Sequence, residues 1–291
     1  MQTINSKVNI CFAIDKNYVP PLKVALCSLL RNRNREVYYN ILILHSDLTI
    51  AHREDILTVS NSESKVEVHF IDVTHEAESV YCDIDGYITV ATTYRLLLLS
   101  KLFCEYDKML YLDSDIVVEG DICELYHINM NNLPVAAVEE TGFRQMSHCK
   151  KAVFINGSLP YNVDNYRTDA LNMKHPEGYF NAGVVLFDLK KCRECVSYDN
   201  VLNIIKSKKY FYNDQDVLNI LFDGQVCLLD YSWNYQNNVE SFLKKKPELY
   251  GPMYWDVKRG APNIIHYVSS YKPWKNCVAL DEHYHKYEDL V

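Results

Sequence analysis

Apolar runs and amphipathic stretches alternate along the first third of the chain. Residues 8–14 form an apolar run that stops at Asp15 and reads as a buried first strand. Residues 19–30 follow as a helix, opened by Pro20 and Pro21, with Leu22, Ala25, Leu26, Leu29 and Leu30 along one face. The pattern then predicts a strand over 39–45, a helix over 50–59 and a strand over 66–71. This β-α-β-α-β rhythm implies a parallel sheet of the nucleotide-binding kind. Residues 93–103 predict a strongly apolar helix, and 108–112 a strand that ends at Asp113-Ser114-Asp115. From residue 139 the periodicity degrades, and 139–178 reads as an excursion over the functional site. Regularity returns with a strand over 180–187, helices over 188–205 and 214–222, and one apolar strand, 264–267, in a loop-rich 244–273. No internal repeat, low-complexity tract or linker interrupts the chain, so the expectation is one domain over 1–291.

Composition narrows the function classes. With 291 residues, 48% of them hydrophobic, the chain can bury a core without disulfides. A net charge of −8 argues against a nucleic-acid partner. The charge is uneven: residues 242–291 hold eight Lys/Arg against six Asp/Glu, +2, which leaves −10 for residues 1–241. A basic end facing an acidic body suits an anionic ligand held between them. The ten cysteines are scattered, and Cys11, Cys27, Cys104 and Cys227 sit in apolar runs, as small buried hydrophobes of a reducing compartment would. The lone pair Cys192 and Cys195 is weak support for zinc or redox chemistry. The N-terminus runs into a strand without a signal peptide, and no apolar run reaches membrane-span length, so a cytoplasmic location with at most peripheral membrane contact is expected. The sequon at Asn156-Gly157-Ser158 is then accidental. Tyrosine is abundant, 23 residues, and most are expected to be half-buried at the surface.

No G-x-G-x-x-G follows the first strand and no G-x-x-x-x-G-K occurs, so a dinucleotide fold and a P-loop are excluded. Asp113 and Asp115 offer another way to hold phosphates. Two residues apart in extended chain, they point to one side at the C-terminal end of a buried strand, where open α/β sheets bind ligands. A hard divalent cation would bridge such carboxylates to phosphate oxygens. Four further polar clusters stand at element ends: 91–95 before the apolar helix, 179–184 at a strand start, 213–216 at a helix start, and 265–267 through 272–274 in the basic C-terminal segment.

In this order the five motifs resemble glycosyltransferase family 8, which includes bacterial lipopolysaccharide galactosyl- and glucosyltransferases and glycogenin. The resemblance runs from Ile10 to about residue 275. It implies a single-domain GT-A fold with a mixed central sheet and helices on both faces, in which 1–138 would bind nucleotide and metal, 139–179 would be the acceptor-side excursion, and 180–291 would bind donor sugar and phosphate. It implies a retaining hexosyltransferase that moves glucose or galactose from a UDP-sugar to a glycan or lipid-linked saccharide. Asp113, Asp115 and His266 would ligate Mn²⁺ (or Mg²⁺), and Lys272 would contact the diphosphate. Ala13, Asp15, Asn17 and Tyr18 match the uridine-binding stretch, with Tyr18 stacking on the base. Arg95, Asn181, Asp214 and Gln215 match positions that hold the donor sugar, and Asp214 and Gln215 are the candidate catalytic pair. The family often has glycine at the position of Ser269, and serine resists a positive φ. With Gln215 an amide, a front-face substitution assisted by the departing phosphate is favoured over a covalent intermediate on Asp214. The acceptor is expected along 139–178, with Tyr161, Tyr166 and Tyr179 as a sugar platform. Two rivals remain. A sugar-1-phosphate nucleotidyltransferase would be expected to carry a glycine-rich loop at 13–18, where there is none. A catalytically silent sugar-nucleotide-binding module is opposed by the intact Asp113, Asp115, His266 and Lys272.

Overall fold

The repeating first third forms because its apolar runs alternate faces. Lys7–Ala13 (β1), Tyr38–His45 (β2) and Val66–Asp72 (β3) pair in parallel, with Ile10 opposite Ile41 and Ile41 opposite Val68. From β1, Val8, Ile10 and Phe12 face Leu22, Ala25, Leu26 and Leu29 of Val19–Asn32 (α1). Burying each of those leucines is worth about 2 kcal/mol. Cys11 and Ala13 face the other way, toward Leu96, Leu97 and Leu98. Helices therefore cover both faces. The computed structural model describes residues 7–81, 89–153, 161–243 and 261–291, with 246 and 248. The sequon at Asn156 and part of the 139–178 excursion lie outside the described residues, as does most of 244–260.

The central sheet has seven strands in the order β10-β6-β9-β4-β1-β2-β3, where β4 is Lys108–Leu112, β6 Val135–Glu139, β9 Phe180–Asp188 and β10 Val226–Leu228. It is mixed: β9 runs antiparallel to both β4 and β6. A small second sheet joins Ile116–Val118 (β5), Tyr235–Gln236 (β11) and Ile264–His266 (β12), and Ala152–Val153 (β7) pairs with Tyr161–Asn162 (β8). The remaining helices are Ile50–Leu57 (α2), Thr74–Ala77 (α3), Ile122–Tyr126 (α4), Gly142–His148 (α5), Leu189–Cys195 (α6), Tyr198–Ser207 (α7), Asp214–Leu221 (α8), Val239–Leu243 (α9) and Asp281–Glu288 (α10). None of the helices among the described residues is long and apolar enough to cross a membrane.

Three expectations are corrected. The predicted helix over 188–205 is two helices. Val196 is extended and Ser197 restarts the chain, its side chain accepting the Asn200 N–H at the N-cap of α7. The apolar helix is a 3₁₀ coil over Val90–Leu99, and Ser100 separates it from a short turn at Lys101–Phe103. Of the four cysteines expected to be buried, Cys11 and Cys27 are, whereas Cys104 is exposed and Cys227 only half-buried. The nine described cysteines are all unpaired.

Candidate active site

Strand β4 delivers the acids. Leu112 ends it, and Asp113 and Asp115 follow before β5 begins, their backbones tied by Asp113 N–H to Gly183 O at 2.7 Å and Tyr267 N–H to Asp115 O at 3.0 Å. Strand β12 pairs antiparallel with β5, His266 opposite Ile116, and this register carries the imidazole to both acids. Its Nε2 lies 3.3 Å from Asp115 Oδ1 and 3.7 Å from Asp113 Oδ2. One ligand atom from each of the three residues lies within 4.8 Å of the others. The Nδ1 of His266 meets Asn234 Oδ1 at 2.9 Å. An amide oxygen only accepts, so Nδ1 is the donor in this contact and Nε2 is the nitrogen that faces the acids. Gly183 leaves the space: a Cβ there would overlap His266 Cε1 and lie 2.8 Å from Asp113 Oδ2. Two carboxylates and an imidazole nitrogen around a kept gap fit a divalent cation that takes both oxygen and nitrogen.

Cations balance these acids. Lys272 Nζ donates to Asp115 Oδ2 at 2.5 Å and to Tyr267 O at 2.7 Å. Burial alone would raise the Asp115 carboxyl, but Lys272 and His266 more than offset it and hold it well below the usual carboxylate range. Arg95 spans two acids, with Nη2 2.9 Å from Asp113 Oδ1 and Nε 2.8 Å from Asp214 Oδ2. It also donates to Ala182 O, and its guanidinium lies 4.5 Å over the Tyr111 ring. Burial works against its charge, yet Asp113 and Asp214 keep its proton bound more tightly than usual. Asp214, at the start of α8, also accepts from Thr92 Oγ1 at 3.1 Å. Burial pushes its carboxyl up to about 6 against the pull of Arg95.

Beside it, the Gln215 amide is held from both ends: Oε1 accepts the Ala182 N–H at 3.0 Å, while Nε2 faces Glu140 Oε2 and Tyr179 Oη at 3.3 Å each. Asn213, which precedes Asp214, has φ 46° and ψ −117°, a strained backbone turning the chain into α8.

These groups enclose a cavity of about 270 Å³. Ala13, Tyr18, Arg95, Asp113, Asp115, Asn181, Asp214, Gln215, His266 and Lys272 line it, as does Ser269. Asp15 and Asn17 do not line it. Asp15 Oδ1 accepts the Asn17 N–H at 2.7 Å, capping a short turn, and Asn17 is exposed. The Tyr18 ring meets Trp274 edge-on at 5.9 Å. Ser269 has φ 80°, so the left-handed conformation that glycine takes easily is kept with serine.

The expected tyrosine platform is corrected. Tyr166 and Tyr179 are buried, and their hydroxyls donate to Asp216, at 2.8 Å to Oδ2 and 2.5 Å to Oδ1. Tyr161 is half-buried and lines a separate surface groove with Lys150 and Lys151. Two site residues escaped the sequence reading. Glu140 lines the cavity directly after β6, and Asn234 orients His266 from a short 3₁₀ turn. Neither lies in a periodic or metal-like pattern, so no sequence signal marks them.

Known proteins of one family share this fold. The family described as "Glycosyl transferase family 8" matches over residues 9–277. A lipopolysaccharide 1,2-glucosyltransferase of Escherichia coli K12 is 28% identical over 92% of this chain and 72% of its own length. Among solved structures, the bifunctional glycosyltransferase WbbM superposes with a TM-score of 0.85 at 25% identity, over 98% of this chain but half of that one. The galactosyltransferase LgtC, solved with donor and acceptor sugar analogues, superposes with a TM-score of 0.75 at 24% identity, over 98% of this chain and 96% of that one.

Proposed function

The chain belongs to glycosyl transferase family 8, with the GT-A arrangement of a mixed sheet between helices, and on that premise we propose that it moves glucose or galactose from a UDP-sugar to a hydroxyl of a glycan or lipid-linked saccharide, with retention of configuration and with Mn²⁺. The convergence of Asp113, Asp115 and His266 with Lys272 and Arg95 on one cavity carries this reading. A divalent cation held by Asp113, Asp115 and His266 would supply Lewis-acid stabilisation to a diphosphate leaving group. Lys272 adds a point charge for the phosphate oxygens. Tyr18 and the Ala13 backbone receive the base at the β1 end of the cavity, with Asp15 and Asn17 just outside it. Arg95, Asn181, Asp214 and Gln215 receive the donor sugar's hydroxyls.

Neither candidate nucleophile is free: one Asp214 oxygen is paired with Arg95 and the other accepts from Thr92, and Gln215 is an amide. This favours front-face substitution, in which the leaving phosphate takes the acceptor's proton. The acceptor would enter beside Gly142 and Tyr212, on the side of the excursion. The Escherichia coli relative's name favours a lipopolysaccharide-type saccharide as acceptor. UDP release from UDP-glucose and UDP-galactose, with and without Mn²⁺, tests the proposal. Metal-dependent turnover of at least one donor is expected. Donor binding without any turnover would leave a silent module, and a sugar trapped on Asp214 would overturn the front-face step.

A further inference from the structure

The cavity stands at the N-terminal end of α5, where Gly142 lines it, and a second hollow stands at the other end of that helix. This surface groove holds about 370 Å³ between two walls. One wall is the turn that leaves α5, with Ser147, Lys150 and Lys151. The other is β8 and the turn after it, with Tyr161, Asn162 and Asp164. The seven residues of α5 separate the two hollows, about 10 Å, a distance that a short oligosaccharide spans. Ring contacts run from one to the other: Tyr212 in the cavity wall meets Phe143 at 5.4 Å, Phe143 meets Tyr166 at 6.0 Å, and Tyr166 meets Tyr161 at 5.9 Å.

The groove is basic, and its lysines are spare. Helix α5 ends in two crossed backbone hydrogen bonds, Lys150 N–H to Ser147 O and Lys151 N–H to Met146 O, each 2.9 Å. This turn needs a left-handed backbone at Lys150, whose φ is 51°. Glycine takes that conformation without strain, yet lysine stands there, and its side chain lines the groove. Neither ammonium is needed to cap the helix, since backbone N–H groups already meet those carbonyls. Among the described residues neither lysine forms an ion pair, not even with Asp164, the one acid in the lining. Two exposed and uncompensated cations, in a chain of net charge −8, attract an anion.

We propose that this groove is a distal acceptor subsite for an anionic group, a phosphate monoester or a carboxylate, carried by the saccharide whose reacting hydroxyl enters the cavity beside Gly142 and Tyr212. Lys150 and Lys151 supply two point charges, and the half-buried Tyr161 supplies ring surface for a sugar. The inference rests on the proposed transfer to a saccharide hydroxyl and adds that the preferred acceptors are acidic.

Binding tests it without turnover. A glucose disaccharide, its phosphate monoester and its glucuronic acid analogue are titrated into ¹⁵N-labelled protein. The acidic probes should shift the amides of 147–151 and 161–164 and bind about tenfold more tightly than the neutral one, a preference that shrinks in about 0.5 M salt. In Lys150→Gln/Lys151→Gln the acidic probes should lose most of that tenfold and the neutral probe nothing. Lys150→Gly separates charge from strain: its melting temperature should rise by about 2 °C while the acidic probes bind roughly three- to fivefold more weakly. Binding of only one acidic probe supports the subsite and names its anion. Equal affinity for neutral and acidic probes, or a double variant that binds like the wild type, overturns it. Inorganic phosphate bound as tightly as the phosphorylated disaccharide also overturns it, leaving a free-anion site. If UDP-sugars are turned over while the groove ignores every probe, the subsite is wrong and the transfer reading stands. Acidic saccharides bound in the groove without any UDP-sugar turnover would mean that the transfer reading, and not the groove's preference for acid, has failed.

Discussion

Asp115 and Asp216 sit on opposite sides of the cavity wall and keep their charges by different means. Asp115 has Lys272 and His266 against it and is held well below the usual carboxylate range despite burial. Asp216 is fully buried and has only neutral donors: two tyrosine hydroxyls and the Tyr212 N–H at 2.8 Å. Burial pushes it up to about 6. Asp115 therefore stays ionised where Asp216 holds a charge that acid can neutralise, while Asp214, with Arg95 beside it, is nonetheless pushed up to about 6. Hydrogen bonds from neutral groups order a buried acid but do not replace a counter-ion.

Removing the permanent charge should have the largest effect. Asp115→Ala is expected to cut UDP release roughly a thousandfold, about 4 kcal/mol, because a proposed metal ligand goes and Lys272 loses a carboxylate partner. On the other side, Asp216→Ala strands two buried hydroxyls and an N–H, and denaturant unfolding should show a loss of about 4 kcal/mol.

The conditional charge has its own signature. An acid whose folded value lies above its unfolded one stabilises the protein fully below the unfolded value, and that contribution is lost as pH rises through the folded value. For Asp216 the window runs from 3.8 to about 6. The stability of the wild type relative to Asp216→Asn should therefore fall by about 3 kcal/mol between pH 4 and pH 7. A flat difference would mean that the hydroxyls stabilise the charge as well as cations do.

The smallest effect is expected at Ser269→Gly. Relief of the positive φ should stabilise the fold by about 0.5–1 kcal/mol in thermal unfolding, with Mn²⁺ binding unchanged.

The sequence disclosed what short-range patterns encode. Strands β1 to β4 and helix α1 are continuous apolar runs or clean helical faces, and Asp113 and Asp115 announce themselves by following one. The break at Val196-Ser197 was legible only through Ser197 as a cap, a signal that the apolar spacing on either side overrode. The 3₁₀ coil was not legible, because Leu96 to Leu99 are all buried and leave no polar face from which to read a period. Tyr166 and Tyr179 misled for another reason. A tyrosine's polar tip suggests the surface, and the acid that satisfies both tips lies at Asp216, far along the chain. Eight of the largest fully buried side chains are tyrosines, which explains much of that residue's abundance. Glu140 and Asn234 stayed hidden because hydrogen-bond relays have no fixed spacing in sequence.

The pairing of β12 with β5 has a consequence for the order of events in folding. Asp113 and Asp115 lead into β5 and His266 ends β12, so about 150 residues of chain separate the acids from the imidazole that the pairing sets beside them. Closing so long a loop is slow and entropically opposed until both sheets exist. During synthesis the acids leave the ribosome long before the imidazole does. A nascent chain therefore carries the two carboxylates without the imidazole, and capture of the proposed cation would be a late, whole-chain event that reports the finished fold.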